Sequence, residues 1–244
     1  MTALSLARKT FTVSRLAEFA SKGELAKLVG HAEGRWPLVI LKELADNAID
    51  EAEEAGVATS VAISFTRTEI VVADLAGRGI DSDTVASIVD YTMRTSSREA
   101  YVSVTRGQQG NALQAILAMG FALDGERGET IIETRGVAHR IIFAVDPIRR
   151  TPEVKHERGP SPVQIGVKTT VQWPERAGSI VAAIQADFVP TLGAFSWLNP
   201  HLSLTGTWNG EAWFDTQATA PDWKKWRPSD ATSPRCTTFP ASRA

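Results

Sequence analysis

The chain has 244 residues, with 26 Lys+Arg against 28 Asp+Glu and a net charge of -2. Its 43% hydrophobic and 22% charged residues are those of a folded globular protein, which excludes a wholly disordered chain and gives no support to a strongly basic nucleic-acid binder. The single cysteine, Cys236, excludes an intrachain disulfide framework or a Cys-rich zinc site. No apolar run approaches the ~20 residues that span a bilayer. The first residues lack the apolar core of a signal peptide, so the cytoplasm is the expected location and no membrane is expected.

Residues 13–30 mix apolar and charged positions at helical spacing, with a break expected at Gly23. Trp36-Pro37 opens a stronger helix, since proline suits a first helical position, and Gly56 ends it. Two strand-like runs follow at 61–66 and 70–74, then a Gly-containing loop at 75–80 and a helix at 82–91. Residues 92–110 are polar and aperiodic and read as a long loop, of the kind that often serves as a lid. A helix is expected at 111–120 and strands near 129–135, 138–145 and 167–173. A helix near 178–189 and strands near 201–207 and 211–215 complete the pattern. Helices dominate early and strands late, which predicts an α+β fold, a mixed and mostly antiparallel sheet covered by helices on one face. From Ala218 to Ala244 four prolines and scattered apolar residues mark an extended tail or the start of a further module.

Three constellations could carry chemistry. Glu43, Asn47 and Asp50 stand four and three residues apart on a helix of otherwise apolar character, so they share a face. Polar groups there face water or need a ligand. Asp74 closes an apolar strand and precedes Gly77-Arg78-Gly79-Ile80. A carboxylate in that place can accept from an exocyclic amine, and the glycines let backbone approach a flat ring; a plain strand–turn–helix junction has the same residues. Arg106-Gly107-Gln108-Gln109-Gly110-Asn111 opens the helix at 111–120. A glycine-rich loop at a helix start offers N–H groups to phosphate, or is simply a flexible linker.

In this order the three motifs resemble the GHKL (Bergerat-fold, histidine kinase-like) ATPases, the superfamily of gyrase-type topoisomerases, MutL, Hsp-class chaperones and histidine kinases. TRGQQGNALQAI looks most like the lid of the B-type subunit of topoisomerase VI, and FSWLNPHLSLTG resembles a segment near the end of its ATPase domain. The chain also resembles small bacterial ATP-binding proteins of this B-like group. The resemblance implies a two-layer sandwich, a strap at 1–30, an ATPase domain at 31–217 and a tail at 218–244 resembling a truncated start of a transducer-like module. It implies ATP and Mg²⁺ as ligands. Glu43 is then the general base, Asn47 the Mg²⁺ ligand and Asp50 its support or a contact to the nucleotide through water. Asp74 reads adenine beside Gly77, Gly79 and Ile80. Arg106, Gly107, Gln108, Gln109, Gly110 and Asn111 form the phosphate lid. Thr169 or Thr170 replaces a hydroxyl that the family carries directly after the glycine matched by Gly166; here Val167 follows it. The loop after Asp74 has one residue more than the family pattern. No counterpart of the transducer's catalytic lysine is found, and Lys168 is not expected to replace it. The implied function is slow ATP hydrolysis with nucleotide-gated homodimerisation through the strap. The implied setting is DNA topology or mobile elements, beside a DNA-cleaving A-type subunit. The alternatives are a non-hydrolysing nucleotide-binding module and, ranked last, a histidine kinase. The basic stretch 135–158 and the Trp223/Trp226 pair read as a solvated sheet face and a packed tail rather than as a DNA surface.

Overall fold

A computed structural model describes residues 16–91, 112–146, 148, 149 and 151–224. Two short helices, α1 (Leu16–Phe19) and α2 (Lys22–Val29), precede a 3-10 turn and the twenty-residue α3 (Trp36–Ala55). Strands β1 (Thr59–Phe65) and β2 (Glu69–Asp74) lead to α4 (Ser82–Val89) and, after the lid region, α5 (Ala112–Asp124). Four strands follow, β3 (Arg127–Thr134), β4 (Val137–Val145), β5 (Pro152–Pro160) and β6 (Val167–Gln172). Helices α6 (Gly178–Ala183) and α7 (Gln185–Leu198) and strands β7 (Leu202–Trp208) and β8 (Glu211–Thr216) end the fold.

The eight strands form one mixed sheet in the order β5-β4-β3-β6-β2-β1-β7-β8. Their residues alternate as the strand period demands. Val61, Ile63 and Phe65 of β1, Ile70 and Val72 of β2, and Leu202, Leu204 and Trp208 of β7 point to the buried side. There they meet Ile40, Leu44, Ile49, Ile116, Met119, Phe188 and Leu192 from α3, α5 and α7. The other face carries Glu129, Glu133, Arg140 and Lys168. The architecture is thus the expected α+β sandwich with helices on one side of a mixed sheet.

Three boundaries differ from the sequence reading. The break in the first helical segment falls at Ala20 and Ser21, and Gly23 lies inside α2. Phe19 and Leu25 are fully buried, Phe19 edge-on to Tyr91 at 4.9 Å. That burial fastens residues 16–29 to this chain's own α5; residues 1–15 of the strap expected over 1–30 lie outside the described residues. The segment that forms β5 reads as loop in the sequence; its Pro-Glu-Val-Lys-His-Glu-Arg run is charged on both faces, as an exposed edge strand requires. Helix α7 runs through Pro190 to Leu198, giving up one backbone bond rather than stopping at 189. Among the described residues no single helix is long and apolar enough to cross a membrane.

Candidate nucleotide site

Helix α3 lies across β1 and β2 and brings the first two constellations to one end of the sheet. Its apolar stripe is buried, and Asp50 is buried with it, at 4% exposure. Glu43 is half-buried and Asn47 exposed. The three share a helix flank, but they descend from solvent into the protein rather than facing water together. Lys42 Nζ lies 3.1 Å from Glu43 Oε1 and 3.0 Å from Asp46 Oδ2. Burial works to lower the Lys42 pKa, yet the hydrogen bonds to Asp46 and Glu43 outweigh it and hold the ammonium above its ordinary value. Sequence reasoning passes over this lysine, although its place beside Glu43 is a visible signal.

Asp74 is the last residue of β2 and is 4% exposed. The chain turns back on it. Ala76 N and Gly77 N donate to Oδ1 at 3.0 Å each, and Gly77 N also reaches Oδ2 at 3.1 Å. The additional residue of this loop lies within that turn. Two glycines let the surrounding backbone close in. A Cβ on Gly77 would fall on Glu51 Oε2 and Asp74 Oδ2; a Cβ on Gly166, at φ 70°, would fall on the Asp74 carbonyl. Gly166 N donates to Gly77 O at 2.8 Å, tying the start of β6 to the loop. Thr134 Oγ1 accepts from Ile80 N at 2.9 Å and donates to Gly166 O at 3.1 Å. Gly79 adopts φ 73° beside that hydroxyl.

Asp74, Gly77, Gly79 and Ile80 therefore converge with α3. Thr170 does not. It pairs with Val71 and Ile131, whereas Thr169 pairs with Val72 and Ile132 on the helix-facing side that Asp74 shares. Strand alternation makes Thr169 the hydroxyl on the site's side. Lys168 lies on the open face, 2.7 Å from Glu133 Oε2. Arg106, Gly107, Gln108, Gln109, Gly110 and Asn111 lie outside the described residues. Two residues absent from the sequence reading, Glu51 and Thr134, belong to the cluster, as does Gly166, which that reading named without assigning it to the site. Only Glu51 carries a usable signal, four residues beyond Asn47 on the same helix.

Among the described residues no group of three or more His, Cys, Asp or Glu side chains could hold a metal alone. An exposed amide oxygen at Asn47 suits a hard cation that arrives already chelated by a triphosphate.

Part of the basic stretch is paired with acids. Arg140 binds Glu129 at 2.7 Å and Glu157 at 3.0 Å, and its hydrogen bond holds Glu129 below the ordinary carboxylate range. His139 Nδ1 lies 2.9 Å from His156 Nε2. Trp223 stacks on His201 with ring centroids 4.8 Å apart, in line with a packed tail; Trp226 lies outside the described residues.

Known proteins resemble the chain. It is 25% identical over 197 residues to the B-type subunit of the type 2 DNA topoisomerase 6 of Archaeoglobus fulgidus, covering 78% of this chain and 32% of that protein. The chain is GHKL ATPase-like. It spans about a third of the length of that relative. No family model matches. Among solved structures, the Aquifex aeolicus MutL ATPase domain complexed with ADP is 15% identical, with a TM-score of 0.44 over 73% of this chain and 62% of that one. The topoisomerase IV ATP-binding domain of Francisella tularensis, in complex with a small-molecule inhibitor, is 18% identical, with a TM-score of 0.45 over 72% and 85%.

Proposed function

We propose that this GHKL-like chain binds ATP with Mg²⁺ between α3 and the Asp74 loop and hydrolyses it slowly. The observation that supports the reading is Asp74 itself, a buried carboxylate at a strand end, enclosed by glycine backbone and flanked by the polar flank of α3. An aspartate so placed accepts a hydrogen bond from an exocyclic amine and discriminates against bases that present an acceptor there. Glu43 polarises a water for attack on the γ-phosphate. It must first exchange its contact with Lys42 for one with that water. Asn47 supplies an oxygen to the cation, and Asp50 braces this part of the helix. When bound, Mg²⁺ neutralises developing phosphoryl charge. Residues 106–111 close over the phosphates, and Thr169 replaces the hydroxyl expected near the base.

By similarity to the B-type subunit of a topoisomerase, we further propose that nucleotide gates association of two chains through residues before 16. The setting is DNA topology or a mobile element, with a separate DNA-cleaving subunit, in the cytoplasm. Isothermal titration with Mg²⁺ and a non-hydrolysable ATP analogue tests the reading. Wild-type protein is expected to bind and Asp74→Asn to bind far more weakly. Absence of binding by wild type overturns it. A second reading, a nucleotide-binding module without turnover, is favoured by the Lys42–Glu43 contact. Steady-state phosphate release separates the two, because only a hydrolysing chain loses turnover on Glu43→Ala.

A further inference from the structure

The Asp74 carboxylate is already saturated. A carboxylate has about four acceptor positions. Ala76 N and Gly77 N take both positions on Oδ1, and Gly77 N leans on Oδ2. The remaining side of Oδ2 faces Glu51 Oε2, for both oxygens crowd the space that a Gly77 Cβ would occupy. Glu51 Oε1 accepts from Arg78 N at 2.6 Å, while Oε2 is buried with no other hydrogen-bond partner. Two ionised carboxylates do not share so small a volume; one proton between them removes the repulsion and supplies the missing bond.

We infer that Glu51 carries a proton that it donates to Asp74 Oδ2, and that an exocyclic amine binding at Asp74 displaces it. Glu51 is thus a positioning residue that holds the base-reading carboxylate in a closed, self-satisfied state. On binding, the amine N–H takes the place of the Glu51 O–H on Oδ2. The proton leaves to solvent, and the Glu51 carboxylate, still held by its bond to Arg78 N, turns Oε2 away from Asp74, so that the two charges no longer share that volume. Burial, with the neighbouring carboxylates, favours the protonated state before binding. Burial is the main cause raising the Glu51 pKa; the Arg78 N–H opposes it, and Asp74 and Glu54 add to it. Buried Asp50 adjoins on α3. The Arg78 guanidinium is turned to the end of α3, where Nη2 donates to Ala55 O at 3.3 Å. Arg135 is likewise engaged, donating from Nε to Arg78 O at 3.0 Å.

The inference rests on the nucleotide reading above, and its test separates the two. Titration of wild type, Glu51→Gln and Glu51→Ala with the Mg²⁺ complex of the non-hydrolysable ATP analogue is run at pH 6 in buffers of different ionisation enthalpy. Such a series counts the protons released. Wild type is expected to release up to about one proton more than either variant, because each variant lacks the titrating group. Its affinity is expected to rise by as much as about tenfold per pH unit while Glu51 remains protonated in the free protein. Both variants should follow only the ligand's own titration. Equal proton counts in wild type and variants, with all three binding, overturn the role of Glu51 and leave the nucleotide site standing. Failure of wild type to bind overturns both. The infrared spectrum of the ligand-free protein gives an independent reading. A protonated-carboxyl stretch present in wild type and lost in Glu51→Ala is expected, and its absence from wild type overturns the inference whatever the variants do. Circular dichroism establishes that each variant is folded.

Discussion

Asp74 and Glu43 are the two carboxylates on which the candidate site rests, and their surroundings are opposites. Asp74 is enclosed by its own loop, by Glu51 and by glycine backbone from β6. Glu43 is half-open and touched by a lysine that is itself half-exposed. In the proposed function the contrast separates two tasks. Recognition of a flat base gains from a rigid, dry carboxylate, because a buried polar group rejects any ligand that leaves it unpaired. Water activation needs access, and a surface ion pair of small net energy is easily exchanged. One part of the site is therefore built before the ligand arrives, and the other completes itself around it.

That contrast can be broken at several points. The largest expected effect is on chemistry. Glu43→Gln should reduce phosphate release by about 10²-fold or more, the usual scale of a lost general base, while analogue affinity changes little. A matched loss of affinity would move Glu43 into the preformed part. Next is Gly166→Ala, which forces a side chain into a left-handed backbone and onto the Asp74 carbonyl. A loss of about 3 kcal/mol is expected from strain and overpacking together, read by urea unfolding. The loop would have to be softer than described for the midpoint to stay unchanged. Asp74→Asn should weaken analogue binding by roughly 10- to 100-fold, the range of a charge-assisted hydrogen bond, with unfolding nearly unchanged.

The smallest effect lies far from the nucleotide. Burial, His156 and Arg158 lower the His139 pKa from 6.5, and burial and Arg158 lower that of His156. A depressed histidine contributes stability that is whole above pH 6.5 and is lost as pH falls through the folded value. The melting temperature should thus decline between pH 7.5 and 5.5, and His156→Gln should flatten that decline. An identical slope in the variant would show that the pair is not the source.

Much of this is legible in the chain. Gly56, Pro37 and the alternation of 61–66 and 70–74 mark α3, β1 and β2 because local geometry decides them. Asp74 and its glycines stand out because a strand end followed by glycine is visible without tertiary knowledge. The edge strand β5 escapes because its sequence lacks the apolar period that marks a buried strand, its pairing with β4 being decided by backbone alone. Gly166 and Thr134 escape assignment to the site because they reach Asp74 through the sheet, from residues 92 and 60 positions downstream. Thr170 against Thr169 turns on strand parity. A one-residue shift reverses every side chain of a strand, and sequence alone does not fix it.

The pairing of β1 with β7 joins Thr59–Phe65 to Leu202–Trp208 and is parallel, whereas the other strand pairs described are antiparallel. The β7 side of β1 therefore stays unpaired until a ribosome has delivered residues 202–208. Closing so long a loop delays folding. Until then β1 offers an unpaired hydrophobic border to any neighbouring nascent polypeptide. A version truncated ahead of Leu202 should accordingly accumulate as aggregate rather than as a smaller stable unit.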